Sequence, residues 1–518
     1  MELVKKNIHM DRMKCKASTQ ITLEEDINIS DSRPDALQIV WNRGNIVIEE
    51  VKVSKDHVNV KGKLQVAVLY QTEEEAGRIA SMESELPFEE QIYMDGVESG
   101  DSVEVQSEME DLTTGLINSR KISVQSLLSL LLSCENLYDE EIAVALEGEE
   151  PVEYRKKTLQ ISPAIIRKKD VFRIKEETEI PTSYPNIFSV IWNDLSVENV
   201  DFKLAEDKIN IQGEIRVFFL YRAESEENEV CHYETTLPFS GTIECSGCRE
   251  GMIPEISWQV GRKDVEVRPD FDGEERVFTF ELSLDLSIRV NTGEEIELLA
   301  DLYGVNREIE TITREAIMPR LHTRCTGKTK VSGRLVSADS EEKINKILQL
   351  QGKVQIEEQV LVEEGILLSG HVEIRLLYEG SARPYGSLQE QIPFSYLLEA
   401  EELPKKEKCK YLMTSDLEQL SAALIDSGEA EAKCVLIFRT NIYNLQKEKV
   451  IEQINVCDID MEKLNALPSM AVYVVGKGES LWDIGKHYYV TIEKLMEIND
   501  LHREEVQQGD KILVVKGS

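Results

Sequence analysis

Apolar and polar residues alternate with a period of two along most of this chain, as in Val58 and Val60, Ile209 and Ile211, and Ile215, Val217 and Phe219. Successive side chains of a strand point to opposite faces, so this text predicts strands with one face buried and the other solvated. The expected fold class is mainly β and multidomain, with antiparallel β-rich repeats that are sandwich-like. The period changes near the C-terminus, where Leu481, Ile484 and Tyr488 fall on one face at helical spacing.

The alternating text repeats. Trp41-Asn42, Val58 to Gly62 and the run Leu64 to Tyr70 return 151 positions later as Trp192-Asn193, Ile209 to Gly213 and Ile215 to Tyr221. A third copy keeps Gly370 and, eight positions on, Tyr378, with the region around Leu348-Gln349-Leu350 where the other two have Trp. Leu86-Pro87-Phe88, Leu237-Pro238-Phe239 and Ile392-Pro393-Phe394 follow, 17, 17 and 15 residues from the Tyr to the Pro. The Gly predicts a bend or a close backbone approach, and the Pro an edge strand where no N–H is needed. The Tyr is expected to close the core with its hydroxyl at the rim, and Trp41 and Trp192 to be core. Acidic stretches from Thr72 to Glu75 and from Glu224 to Glu227 read as hairpin connections. The period and the polar stretches between copies divide the chain into repeats at 1–150, 151–317 and 318–462 and a small domain at 470–516.

In that small domain Val472 to Val475 form a strand, and a Gly-containing turn leads to Ser480, placed to cap a helix while Asp483 reaches back. Thr491 caps a second helix carrying Ile492, Leu495 and Met496, and Asn499 is expected to leave it through a left-handed conformation. Gly509-Asp510 turns into a last strand from Lys511 to Val515, so the predicted order is βααβ.

Charge narrows the partners. With 97 acidic and 59 basic residues the formal charge is −38, a field that repels phosphate backbones and anionic membranes, so nucleic acid is excluded as a partner. No apolar h-region follows Met1-Glu2-Leu3-Val4-Lys5-Lys6, which predicts a chain without a signal peptide. Leu127 to Leu132 is too short for a membrane span, which takes about 20 helical residues. A cytosolic protein with reduced thiols is the expectation for nine scattered cysteines. Cys245-Ser246-Gly247-Cys248 with Cys231-His232 upstream reads as a loop with two ordinary thiols, and half of a zinc site is the alternative. The chain has no His-Glu-x-x-His, Gly-x-Ser-x-Gly or Walker A text and no Asp-x-Asp-x-Asp-Gly calcium loop. Neighbouring carboxylates such as Glu24-Glu25 point to opposite faces of a strand. No catalytic residue, metal or cofactor is expected.

The repeated Gly, the apolar run ending in Tyr and the following Leu-Pro-Phe resemble the SPOCS (spore coat assembly) module of endospore-forming bacteria, over most of residues 15–460. Gly478 to Ile484, Thr491 to Leu495, Ile498-Asn499 and Gly509 to Leu513 resemble the LysM domain, with Gly485 where that family has Ala and Val515 near its usual Pro. The LysM resemblance implies a shallow groove for N-acetylglucosamine-containing glycans. Its matching positions are Gly478, Glu479, Ser480 and Leu481 on one side and Asn499, Asp500, Leu501 and His502 on the other. A structural reading stands beside it, with Ser480 a cap, Leu481 core and Asn499 a helix terminator. The combined layout is similar to that of SipL-like spore coat morphogenetic proteins. That resemblance implies a non-enzymatic scaffold in the mother-cell cytoplasm, docking through its LysM domain onto the coat's basement-layer morphogenetic ATPase and gathering other coat proteins. A peptidoglycan- or N-acetylglucosamine-binding protein is the alternative.

Overall fold

The structure is a computed structural model that describes residues 1–72, 78–148, 151–225, 229–337, 342–381, 383–426, 428–459 and 468–515. The first repeat is built from β1 (Glu2–Asn28), β2 (Ala36–Ser54), β3 (His57–Thr72), β4 (Ile79–Tyr93), β5 (Val103–Asn118) and β6 (Lys121–Glu147). The meander β2-β3-β4 forms one antiparallel sheet and β1-β6-β5 the other. Alternate residues of β3, from Val58 to Tyr70, meet alternate residues of β6, from Ile122 to Leu132, in the core between them. This is the sandwich that the period of two predicts.

The second repeat comprises β7 (Val152–Ile161), β8 (Ala164–Glu179), β9 (Ile187–Ala205), β10 (Lys208–Ala223), β11 (Val230–Glu244), β12 (Ile253–Pro269), β13 (Glu275–Asn291) and β14 (Glu294–Gly304). The third comprises β15 (Glu308–Val336), β16 (Ile344–Val362), β17 (Gly365–Gly380), β18 (Tyr385–Glu399), β19 (Cys409–Asp426) and β20 (Glu429–Cys457). In each repeat the first and last strands run on past the sandwich as a two-stranded ribbon. In the second repeat Pro163, which lacks an N–H, divides the ribbon strand β7 from β8, so β7 and β14 pair separately. The expected boundary after residue 317 lies inside β15, where the ribbon alternates like the sandwich and no composition change marks its start.

The two sequence landmarks of each repeat face each other across one hairpin. Gly62 pairs with Phe88, Gly213 with Phe239 and Gly370 with Phe394. A Cβ on Gly62 or Gly213 would lie 2.7 Å from the Phe ring, and one on Gly370 would lie 2.1 Å from the Gln355 carbonyl oxygen. Close approach is what these glycines permit. The neighbouring strand is bulged opposite each of them, which brings its carbonyl inward. The Tyr70 and Tyr221 hydroxyls donate to the Pro34 and Pro185 carbonyls, and Pro87, Pro238 and Pro393 lie on the edge strands β4, β11 and β18. Residues 73–75 and 226–227 lie outside the described residues, but β3 with β4 and β10 with β11 are paired as hairpins around them.

The three repeats close into a ring. Trp41 and Leu69 of the first, Trp192, Phe218 and Leu220 of the second, and Leu348, Leu377 and Tyr385 of the third share one buried hub. Trp41 and Trp192 are therefore buried between repeats, not inside their own sandwiches. Their register partner in the third repeat is Gln349, since Trp41, Trp192 and Gln349 pair with Leu69, Leu220 and Leu377. Polar contacts follow the same circuit. Arg43 lies 5.1 Å over the Trp192 ring and donates to the Asn193 carbonyl. Arg375 lies 4.3 Å over Trp41 and donates to the Asn42 carbonyl at 3.1 Å. Gln349 donates to the Asp194 carboxylate at 2.7 Å. The ribbons share a second core, to which Ile8, Met10, Ile142, Leu159, Ile161, Ile296, Leu298, Ala316, Met318 and Val450 contribute.

After the ring come β21 (Met470–Val474), α1 (Leu481–Tyr488), α2 (Ile492–Ile498) and β22 (Lys511–Val515), the βααβ order expected. Among the described residues no helix is long and apolar enough to cross a membrane.

Candidate functional site

The predicted groove positions divide into residues committed to the fold and residues that remain exposed. Gly478 is exposed in a left-handed conformation (φ +82) that opens the turn after β21. The Glu479 carboxylate accepts from the Tyr473 hydroxyl at 2.9 Å and the Gly476 N–H at 2.8 Å, so it ties the turn together. Asp483 accepts from the Ser480 N–H at 2.8 Å and the Ser480 hydroxyl at 2.7 Å. These bonds hold the Asp483 carboxyl below its usual range, and Ser480 with Asp483 closes the expected capping box at the start of α1, the Ser480 oxygen facing the Asp483 N–H and the Asp483 carboxylate the Ser480 N–H. Leu481 is fully buried, so its side chain belongs to the core.

Asn499 is spoken for on every side. Its amide donates to the Leu495 and Leu513 carbonyls at 2.8 Å, and its Oδ1 accepts from the Leu513 N–H at 2.6 Å. It staples α2 to β22. Its φ is −102, so the left-handed exit expected there is corrected to Asp500, at φ 52, because the staple needs Asn499 itself near helical geometry. Leu501 packs against the small core, whereas Asp500 and His502 are exposed. The exposed rim is therefore Gly478 on one side and Asp500 and His502 on the other.

Two features of this domain were missed. Met470, Val472 and Val474 form an exposed apolar stripe on β21 while Tyr473 and Val475 turn inward. Every position from Met470 to Val475 is apolar or aromatic, so the sequence did not say which face was outward. The second feature is that the domain rests on the ribbon of the second repeat. The Trp482 Nε1–H donates to the Asp301 carboxylate at 2.8 Å, and Lys486 reaches the same carboxylate at 2.7 Å. The Arg155 guanidinium lies 4.7 Å over the Trp482 ring. Tyr303 meets Trp482 edge to face at 4.8 Å and donates its hydroxyl to the Val490 carbonyl at 2.8 Å.

The other candidates resolve structurally. Cys245-Ser246-Gly247-Cys248 is a turn closed by the Cys248 N–H on the Cys245 carbonyl at 3.0 Å, with Gly247 left-handed (φ +84). Met94-Asp95-Gly96-Val97 makes the same turn in the first repeat, so the cysteines stand where that repeat has Met and Val. Burial pushes the Cys248 thiol up to about 12, the opposite of a reactive thiolate. Cys231 lies against Tyr221. Among the described residues no group of three or more His, Cys, Asp or Glu is placed to hold a metal. A cavity of about 1560 Å³ lies between the repeats. Two of its lysines are tied to backbone carbonyls, Lys263 to Leu195 and Lys353 to Met109, each at 2.8 Å.

Three β repeats closed into a ring and followed by a small βααβ domain with an exposed rim define a modular chain of repeated domains and one terminal domain. Comparison with known families gives the SipL, SPOCS domain at residues 35–117, 186–268 and 343–425 and the LysM domain at 473–515. The chain belongs with the SipL-like proteins: three SPOCS domains followed by a LysM domain. Both domain families are non-catalytic binding domains, and the combination is sporulation-related. No curated protein and no solved structure matches the chain.

Proposed function

We propose that this chain is a non-enzymatic spore coat assembly or encasement protein. It docks through its LysM domain onto a coat basement-layer morphogenetic ATPase at the forespore surface, in the mother-cell cytoplasm, and its SPOCS ring scaffolds further coat proteins. One asymmetry supports this reading. The residues repeated across the SPOCS domains are spent on strand pairs, turns and the shared hub, whereas the LysM domain leaves Gly478, Asp500 and His502 exposed. The glycan alternative is carried by the LysM domain itself, a carbohydrate-binding type, and would make the ligand a peptidoglycan or another N-acetylglucosamine-containing chain of the wall or cortex.

Capture of the purified basement-layer ATPase by the full-length chain tests the reading. His502→Ala is the cleaner probe, because Leu501 also packs on the core. His502→Ala or Leu501→Ala is expected to weaken capture by about tenfold or more if either is a hot spot. Soluble N-acetylglucosamine oligomers that bind the groove and leave capture untouched would shift the assignment to the glycan. If both substitutions and deletion of residues 470–518 leave capture unchanged, the LysM domain is not the anchor.

A further inference from the structure

The contact between the LysM domain and the second SPOCS domain is specific to that repeat. All three ribbons carry a bulge at one place, between Ala143 and Ala145, Leu299 and Asp301, and Ile451 and Gln453, which aligns them residue by residue. In that register Asp301 corresponds to Ala145 and Gln453, and Tyr303 to Glu147 and Asn455. Arg155, the strand partner of Asp301, corresponds to Val4 and Ile312. A carboxylate, a guanidinium and a phenol thus stand together on one ribbon and are missing at the matching positions of the other two.

The LysM side is adapted as well. Gly485 has no room for a side chain, since a Cβ at that position would lie 2.5 Å from the Tyr303 hydroxyl and 2.7 Å from the Val490 carbonyl oxygen. The Val490 carbonyl is the acceptor of the Tyr303 hydroxyl, and the Val490 N–H returns to the Gly485 carbonyl at 3.0 Å. The bare backbone at Gly485 of α1 leaves room for the phenol. Trp482, one position after the buried Leu481, turns its indole N–H out of the small domain to Asp301. A side-chain set peculiar to one ribbon and a glycine with no room for a Cβ, far apart in sequence, meet at one contact.

We infer that Arg155, Asp301 and Tyr303 form a dedicated seat that fixes the LysM domain to the second SPOCS domain, so that it is presented as a rigid part of the ring. The seat covers the Trp482 and Gly485 side of α1 and leaves Gly478, Asp500 and His502 exposed. A groove ligand is met at a set orientation relative to the ring, and a ligand that needs the Trp482 face must first displace the second repeat. This holds whichever ligand the groove takes.

Methyl relaxation in the deuterated full-length chain reads the seat directly. Ile492, Leu495 and Val514 report the LysM domain, and Leu220 and Leu377 report the ring. In the unsubstituted chain both sets are expected to share one rotational correlation time. Asp301→Ala with Tyr303→Ala is expected to shorten the LysM value several-fold while the ring value holds. Glu147→Ala and Asn455→Ala, at the matching positions, are expected to change neither. Gly485→Ala is expected to release the domain, and Tyr303→Phe in the same chain to restore part of the docking by removing one of the two atoms in conflict. LysM methyls that tumble fast in the unsubstituted chain overturn the inference. So does a LysM domain that stays locked after Asp301 and Tyr303 are both replaced. If Gly485→Ala unfolds the domain, its methyl shifts collapse, and the Asp301 and Tyr303 variants still decide.

Discussion

At the scale of single residues, the repeated Gly is a space requirement set by the strands on either side of it, a Phe ring on one and a bulged carbonyl on the other. A side chain on Gly213 would meet the Phe239 ring at 2.7 Å, one on Gly62 the Val47 carbonyl oxygen at 2.6 Å as well as the Phe88 ring at 2.7 Å, and one on Gly370 the Gln355 carbonyl oxygen at 2.1 Å. A ring can swing aside at some loss of packing, but a backbone carbonyl in a ladder cannot. Gly62→Val and Gly213→Val are each expected to destabilise by about 1–3 kcal/mol, with Gly370→Ala in the same range despite its smaller side chain. Thermal melting of the full-length chain checks this, and unchanged curves for all three would mean the alignment of these glycines is accidental. The Gly, Pro and Tyr landmarks were legible in the sequence because each obeys a local steric or hydrogen-bonding rule. The partners of Trp41 and Trp192 were not, since periodicity says that a residue is buried and not against what. Gln349 looked like erosion of a motif, yet it supplies the amide that the Asp194 carboxylate accepts from.

At the scale of elements, the βααβ order could be read because caps and helical spacing are local, whereas the seat joins α1 to Asp301, Tyr303 and Arg155, far earlier in the chain, and leaves no local trace. One carboxylate there is strained. Burial, with Glu493 and Glu504 nearby, raises the pKa of Glu153, although the Ile492 N–H donates to it. An acid whose pKa is raised by docking binds its proton more tightly when docked. Its contribution is therefore favourable below the ordinary carboxylate range and is lost as pH rises through the raised value. At neutral pH Glu153 opposes docking. Glu153→Gln keeps an acceptor for the Ile492 N–H and removes the repulsion, so it is expected to tighten docking, by at most about 1 kcal/mol after solvent screening. Hydrogen exchange of the α1 amides in the full-length chain should slow at neutral pH and match the unsubstituted chain near pH 4. Faster exchange at neutral pH would mean that Glu153 makes a favourable contact there.

At the scale of the whole molecule, the SPOCS domains share apolar residues in a way that makes beads on a string a poor description. Trp192, Phe218 and Leu220 of the second domain are at most 3% exposed in the ring, and their cover comes from Trp41, Leu69 and Ile79 on one side and Leu348, Leu377 and Tyr385 on the other. Cut out alone, that domain would present its aromatic face to water. The sequence showed three copies, but not that they close on one another, because a closed ring and an open array repeat the same strands. A hub common to three domains predicts coupled unfolding. Trp41→Ala lies in the first domain, yet it should deprotect amides in all three, since the cavity left by a buried Trp costs about 3–5 kcal/mol wherever its packing partners reside. In the full-length chain, hydrogen exchange at Leu220 and Leu377, the strand counterparts of Leu69, should accelerate along with exchange at Leu69 itself. The ring's calorimetric transition should move down as one peak. Deprotection confined to the first domain, or three separable transitions in the unsubstituted chain, would show that the domains fold independently and that the hub is contact without coupling.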